Sequence, residues 1–141
     1  LGTEPKRAYA QAHLDENGVD RTTTGILTFD SGVEALFDCS FETSAQEYYE
    51  VIGDRGNIEV YGPYRPDKNP NGKGRIVVTA ENEEKREWLV SGDQYTLQVE
   101  HFSECVLNDT EPVYTGEQTV QNMKVIDACF EGIRTGEAVD L

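Results

Sequence analysis

The chain has 141 residues, with 27 acidic and 12 basic side chains and a formal net charge of −15. This charge repels the phosphates of nucleic acids and anionic lipids, which argues against a nucleic-acid or membrane-surface role. The length suits one domain with a sizeable core, and no apolar run approaches the ~18 residues of a membrane-spanning helix. Three cysteines without C-x-x-C spacing and two distant histidines favour free thiols in the cytoplasm over a disulfide framework or a metal site.

The first stretch of the chain predicts a hairpin with one unusually small face. Residues 6–14 alternate alanines with larger side chains, as in a strand on which a bulky element packs closely, and these alanines are Ala8, Ala10 and Ala12. Acids, amides and glycine at 15–18 indicate a turn, after which residues 19–29 read as the next strand.

The run from Val33 to Tyr61 organises the rest of the predicted sheet. Its beginning alternates between a side expected to be packed (Val33, Ala35, Phe37, Cys39, Phe41) and a more polar side (Glu34, Leu36, Asp38, Ser40, Glu42). Further strands are predicted over residues 48–53, 57–61, 75–80 and 86–90, with a loop rich in proline and glycine over residues 62–74.

Two helices are predicted after the strands. Capping boxes beginning at Ser91 and Thr115 precede apolar stripes at helical spacing, which we interpret as core, and Gly136 is expected to end the second helix. Strands followed by helices indicate an α+β fold: an open, mostly antiparallel β-sheet with helices packed on one face and the other face available for oligomerisation.

Hairpin pairing predicts a polar rim at one end of this sheet. In a hairpin that turns at residues 30–32, the residue numbers of two paired residues add up to about 62. Residues 41 and 42 are therefore expected opposite residues 20 and 21. The rim collects donors, acceptors and an aromatic ring suited to a polyol: Asp20, Arg21, Phe41, Glu42 and Thr43. Ordinary strand ends have similar compositions. The acidic sheet surface could also face solvent or a partner, or hold a carboxylate pair for glycoside hydrolysis.

In several segments the sequence resembles the C-terminal domain of Gfo/Idh/MocA oxidoreductases. The segments are LGTEPKRAYA at residues 1–10, Val19-Asp20, GILTFDSG at 25–32, VIGDRGNIEV at 51–60, Y-x-x-Q-V-E-H-F at 95–102 and GEAVDL at 136–141. The resemblance covers essentially the whole chain, although each motif is weakly specific alone. It implies that residues 1–141 are a single substrate-binding and oligomerising domain, preceded by a separate N-terminal Rossmann domain that this chain lacks.

The resemblance also implies a function. Family members use NAD or NADP to oxidise or reduce a sugar, inositol or related polyol, and their proton-transferring residues lie upstream of the Gly-x-x-Pro segment. We therefore expect no catalytic, cofactor-binding or metal-binding residue here, and an inactive isolated fragment. In the family, the substrate contacts of this domain come partly from the segment matching Phe41–Thr43. Together with the rim and Tyr95, the expected substrate-binding residues are Arg21, Phe41, Glu42, Thr43 and Tyr95.

Two other functions stay open on sequence grounds. The chain could be a non-enzymatic module for self-association or glycan binding, or a small hydrolase using a carboxylate pair. No nucleotide-binding fingerprint and no nucleophile–histidine pattern supports an independent enzyme. The residues do not distinguish one sugar from another, NAD from NADP, or one homo-oligomer size from another.

Overall fold

A computed structural model describes residues 2–141, so Leu1, the first residue of the family-like opening segment, lies outside the described residues. Within them the chain forms eight strands and two α-helices, with a short 3-10 helix at Pro66–Lys68. The elements are β1 (Arg7–Leu14), β2 (Asp20–Thr28), β3 (Glu34–Ser40), β4 (Tyr48–Gly53), β5 (Gly56–Tyr61), β6 (Gly74–Ala80), β7 (Arg86–Val90), α1 (Gln94–Asn108), α2 (Gly116–Thr135) and β8 (Val139–Asp140).

The strands form two antiparallel sheets, one in each of two compact units. The first sheet has the order β3-β2-β1-β8 and the second β4-β5-β6-β7. Unit 1 comprises Leu1–Thr43 and Val113–Leu141, and unit 2 comprises Ser44–Pro112. The α+β class and the mostly antiparallel open arrangement are confirmed. The expectation of a single sheet is not met, because residues 41–47 between β3 and β4 form no strand and these two strands do not pair.

Helix α2 packs on the small-residue side of β1, as predicted. Ala8 and Ala10 are fully buried, and Ala128 of α2 is 6% exposed. A Cβ added at Gly132 of α2 would lie 3.4 Å from the Ala10 backbone nitrogen, so helix and strand meet almost backbone to backbone. The close approach requires small side chains on both elements.

The helix termini show which predicted caps form. Thr115 and Gln118 make the predicted capping box at the start of α2, and Gly136 ends that helix with a left-handed φ of 75°. The predicted box at Ser91 is wrong. The N-cap of α1 is Asp93, whose carboxylate accepts hydrogen bonds from the backbone N–H groups of Tyr95 and Thr96. A carboxylate at this position also suits the positive end of the helix dipole.

The prediction that both helical stripes form core is wrong for most of the bulky residues. Cys105 is buried in α1, and Ala128 and Gly132 are buried in α2. The larger residues of the stripes are 37–68% exposed, among them Tyr95, Val99, Phe102, Val106, Val120, Met123, Ile126 and Phe130. The large residues of α2 are exposed because α2 contacts β1 through its small residues instead.

The three cysteines are free thiols, but they differ in burial. Cys105 is buried, Cys129 is half-buried and Cys39 is exposed, so Cys39 is not the core residue expected from its strand pattern. Burial raises the pKa of the Cys129 thiol above its usual value. Neither helix of the described residues is long and apolar enough to cross a membrane.

Candidate functional site

The predicted rim forms at the end of the β2–β3 hairpin. Thr22 pairs with Ser40, Thr23 with Cys39 and Thr24 with Asp38. One residue beyond β3, the Phe41 N–H donates a 2.9 Å hydrogen bond to the Arg21 carbonyl. The prediction that partner numbers sum to about 62 is confirmed, and residues 41–42 lie beside residues 20–21.

A register shift between β1 and β2 distinguishes this end of the sheet from an ordinary strand end. His13 pairs with Thr22, but the next residue, Leu14, pairs with Asp20. Arg21 is therefore an extra residue in β2, as in a β-bulge, a feature that redirects side chains and is frequent beside functional sites.

Two nitrogen-bearing side chains, a guanidinium and an imidazole, approach the carboxylate of Glu42. The Nε of Arg21 donates to Glu42 Oε1 at 3.3 Å, and Nδ1 of His13 lies 3.9 Å from Glu42 Oε2. All three side chains are partly open to solvent, with exposed fractions of 42% for Arg21, 77% for His13 and 44% for Glu42. We call these three residues the rim cluster. It offers a carboxylate acceptor beside a guanidinium donor, both accessible to a ligand.

Hydroxyl groups fix the backbone of the rim cluster. Ser40 Oγ and Thr22 Oγ1 are hydrogen bonded at 2.7 Å, across the β2–β3 pair. Ser40 Oγ also accepts from the Glu42 N–H at 3.0 Å and donates to the Arg21 carbonyl at 3.3 Å. The main chain at both Arg21 and Glu42 is thus tied to one serine, which restricts how far the two side chains can drift apart.

Arg21 also influences the turn between β1 and β2. The pKa of Asp15 lies below its usual value because its carboxylate accepts N–H bonds from Val19 and Asn17, with a smaller contribution from the Arg21 charge. This guanidinium therefore acts on carboxylates on two sides, Asp15 and Glu42.

The other expected rim residues have different surroundings. Phe41 is 80% exposed, so it projects an aromatic ring instead of packing in the core as its alternation suggested. Thr43 is exposed in the segment after β3. The Asp20 carboxylate accepts a hydrogen bond from the hydroxyl of Thr23, a residue that is only 5% exposed. Asp20 also lines a cavity of about 220 Å³ against α2, together with Phe37, Cys39 and Cys129. Asp20 therefore belongs to the α2 side, not to the rim cluster.

Tyr95 belongs to unit 2. It lies in the first turn of α1 with 58% of its surface exposed, and the Arg65 guanidinium lies 5.4 Å from the centre of its ring. Arg65 is held by two hydrogen bonds to Asp67, which raise the pKa of Arg65. The carboxylate of Glu47 accepts the Arg65 N–H at 3.0 Å and so anchors this loop.

His13 is the rim residue that the sequence interpretation missed. Simple alternation places His13 on the side of β1 away from the alanines, the same side as its partner Thr22. Arg21 is next to Thr22 in the chain, so alternation alone would put the Arg21 side chain on the opposite face from His13. The bulge that unites them has no clear signature in the sequence. Within residues 2–141, no group of three or more His, Cys, Asp or Glu side chains is arranged to hold a metal ion.

Comparison with known proteins places this domain in a family. A family model described as "Oxidoreductase family, C-terminal alpha/beta domain" (GFO_IDH_MocA_C) matches residues 1–141. The D-xylose 1-dehydrogenase (NADP(+)) 2 of Haloferax volcanii is 32% identical over 142 residues, covering 100% of this chain and 43% of that protein.

Solved structures have the same fold. The aldose-aldose oxidoreductase of Caulobacter crescentus complexed with glycerol superimposes with a TM-score of 0.80 at 24% identity, over 99% of this chain and 42% of that one. A 3-ketoreductase from Actinomadura kijaniata, solved with TDP-benzene and NADP, gives a TM-score of 0.75 at 19% identity over 96% of this chain and 42% of that one. The chain spans less than half the length of these relatives. With the family model matched from end to end, the chain belongs to the Gfo/Idh/MocA oxidoreductase family and corresponds to its C-terminal alpha/beta domain.

Proposed function

We propose that this chain is the substrate-binding and oligomerising part of an NAD(P)-dependent oxidoreductase that acts on a sugar or related polyol. The observation that carries the proposal is the rim cluster, in which the carboxylate of Glu42 and the guanidinium of Arg21 stand side by side and open to solvent. Family membership supports the reaction class, and the D-xylose dehydrogenase and aldose oxidoreductase among the relatives support the substrate class.

The chemistry of the rim suits a polyhydroxylated ligand. A carboxylate accepts hydrogen bonds from sugar hydroxyls, and a guanidinium donates to hydroxyl or ring oxygens. The exposed ring of Phe41 offers an apolar face for the C–H groups of a sugar. We assign substrate binding to Arg21, Phe41, Glu42 and Thr43 of unit 1, and the expected role of Tyr95, which belongs to unit 2, stays a separate prediction.

The cofactor is proposed to bind outside the described residues. NAD(P) sites of the Rossmann type need a strand, a glycine-rich turn and a helix whose N-terminus receives the pyrophosphate. In residues 2–141 both α-helices begin instead at side-chain caps: Asp93 accepts from the N–H groups of Tyr95 and Thr96, and Thr115 accepts from that of Gln118. When bound elsewhere in the full-length protein, the nicotinamide carries the hydride, and this chain's residues bind and orient the alcohol.

We also propose that the chain self-associates through its first sheet and that it works in the cytoplasm. The face of the first sheet away from α2 exposes apolar side chains, Leu36 at 77% and Ile26 at 37%, beside a shallow depression of about 370 Å³. These residues support oligomerisation through that face. The free thiols support a reducing compartment, and we propose the cytoplasm.

Steady-state kinetics of the full-length protein test this function. With NAD+ or NADP+ and a panel of aldoses and polyols, at least one substrate is expected to be oxidised. Glu42→Gln should raise its KM by about 10- to 100-fold, because a hydrogen bond to a charged group is weakened, while kcat changes by less than about 3-fold.

Glu34→Gln is the matched control, because Glu34 is exposed at the other end of β3. Its KM should equal that of the unmodified protein. The proposal is contradicted if no sugar or polyol is turned over, or if Glu42→Gln and Glu34→Gln have the same KM.

A further inference from the structure

The rim cluster holds one carboxylate between a guanidinium and an imidazole. Arg21 is charged at every pH that proteins tolerate, whereas a histidine ordinarily changes its charge between pH 5 and 8. Their partners are separate atoms of Glu42: Arg21 approaches Oε1 at 3.3 Å and His13 approaches Oε2 at 3.9 Å.

The distance from His13 to Glu42 suits an ion pair better than a direct hydrogen bond. At 3.9 Å a neutral imidazole holds the carboxylate weakly, whereas a protonated imidazole attracts it. A neutral His13 would leave Glu42 Oε2 available to an incoming hydroxyl, whereas a charged His13 would engage it. In either case Oε1 would face Arg21.

We propose that His13 is a positioning residue that controls whether Glu42 Oε2 is available to the substrate, so that protonation of His13 weakens substrate binding. This inference rests on the proposed function, because it assumes that Glu42 accepts a substrate hydroxyl. It deepens that function by adding a pH-dependent control of the same site, through a residue that contacts Glu42 and is not required to contact the substrate.

Besides Glu42, the carboxylate nearest to His13 along the chain is Asp15 in the following turn, which accepts hydrogen bonds from the N–H groups of Asn17 and Val19. His13 faces Glu42, which follows the end of β3, and it pairs with the neutral Thr22 of β2. The charge of Arg21 is engaged by the same Glu42 carboxylate. The next carboxylate along this face is Asp38, which is opposite Thr24 rather than Thr22.

The remaining neighbours of β1 lie elsewhere. Strand β8 pairs at the far end of β1, where the carboxylate of Asp140 engages Arg7. Helix α2 packs on the alanine side of β1, so its charged residues are on the opposite face from His13. The carboxylate of Glu42 is thus the charge that responds most directly to protonation of His13.

The test is the pH dependence of KM in the full-length protein with the best substrate. Between pH 8 and pH 5.5 we expect KM of the unmodified protein to rise about 2- to 5-fold, the range for a solvent-exposed ion pair that competes with the substrate. In His13→Gln this rise should disappear, with KM near the pH 8 value throughout, while the pH profile of kcat is retained. A merely structural role would change stability or kcat without removing the pH dependence of KM.

His101→Gln is the matched control, since His101 is the other histidine of the chain and lies on α1. It should keep the rise in KM. If Glu42→Gln raises KM at pH 8 but His13→Gln keeps the full rise at pH 5.5, the positioning role is wrong and the proposed function stands. If Glu42→Gln leaves KM unchanged at pH 8, the proposed function fails and this inference fails with it.

Discussion

Replacing Ala10 with leucine is expected to lower the free energy of unfolding of the 141-residue chain by about 3 kcal/mol, at the upper end of overpacking effects. Ala10 is fully buried, and the backbone of α2 at Gly132 leaves no space above it. A leucine side chain would force α2 away from β1 and separate the main packing contact of unit 1.

Urea denaturation followed by far-UV circular dichroism measures this effect, with hydrogen exchange of β1 amides as a local probe. Fluorescence of Trp88 is unsuitable because that residue belongs to unit 2. Ala12→Leu is the matched control: Ala12 is on the same strand face but half-buried, so its loss should stay below about 1 kcal/mol. Equal losses at the two positions would contradict the described packing of α2.

The second large expected effect is a gain of stability with salt. The chain carries 27 acidic and 12 basic side chains, so its carboxylates mostly repel one another. Raising ionic strength from 0.1 M to 1 M shortens the Debye length from about 10 Å to about 3 Å and screens this repulsion. We expect the unfolding midpoint to rise by roughly 8 °C, equivalent to about 2 kcal/mol for a chain of this length.

Thermal denaturation in sodium chloride from 0.1 M to 1 M measures the gain. Glu50 and Glu59 face each other directly across β4 and β5, a pairing that is unfavourable for like charges. The double variant Glu50→Gln with Glu59→Gln keeps hydrogen-bond acceptors for neighbouring tyrosines, Tyr48 and Tyr61, and should gain less from salt than the unmodified chain. An unfolding midpoint that is independent of salt, or that falls with salt, would contradict the expected repulsion between the carboxylates.

Local rules predicted the parts of the fold that depend on few residues. A three-residue connection with a fixed register predicted which residues of β2 and β3 meet, because side-chain alternation leaves little freedom in a hairpin. The box at Thr115 and the glycine at Gly136 mark the ends of α2, since both act through their own backbone neighbourhood. The alanines of β1 predicted close packing by a bulky element, for steric reasons alone.

The features that were missed depend on several segments at once. Ser91 and Asp93 both suit an N-cap, and the choice between them is decided by where the preceding strand ends, not by the cap residue. The division into two sheets arises at residues 41–47, which have no clear turn signature. Strand β8 is two residues long and exists through its pairing with Arg7 and Ala8, too short for a recognisable pattern.

In the candidate site, too, the residues that local rules govern were predicted and the one that depends on several segments was missed. Arg21, Phe41 and Glu42 were predicted to meet, and the hairpin register brings them together. His13 was not included, because its approach to Glu42 depends on the register shift opposite Leu14. A bulge is a property of a strand pair, and periodicity read along one strand contains no information about it.

A structure of the full-length protein with NAD(P) and its best sugar substrate tests the central claim most directly. We expect at least one sugar hydroxyl to lie at hydrogen-bond distance, about 2.7 to 3.2 Å, from a Glu42 carboxylate oxygen or an Arg21 guanidinium nitrogen. A sugar bound next to the nicotinamide with neither Glu42 nor Arg21 in contact would contradict the assignment of these two residues to substrate binding.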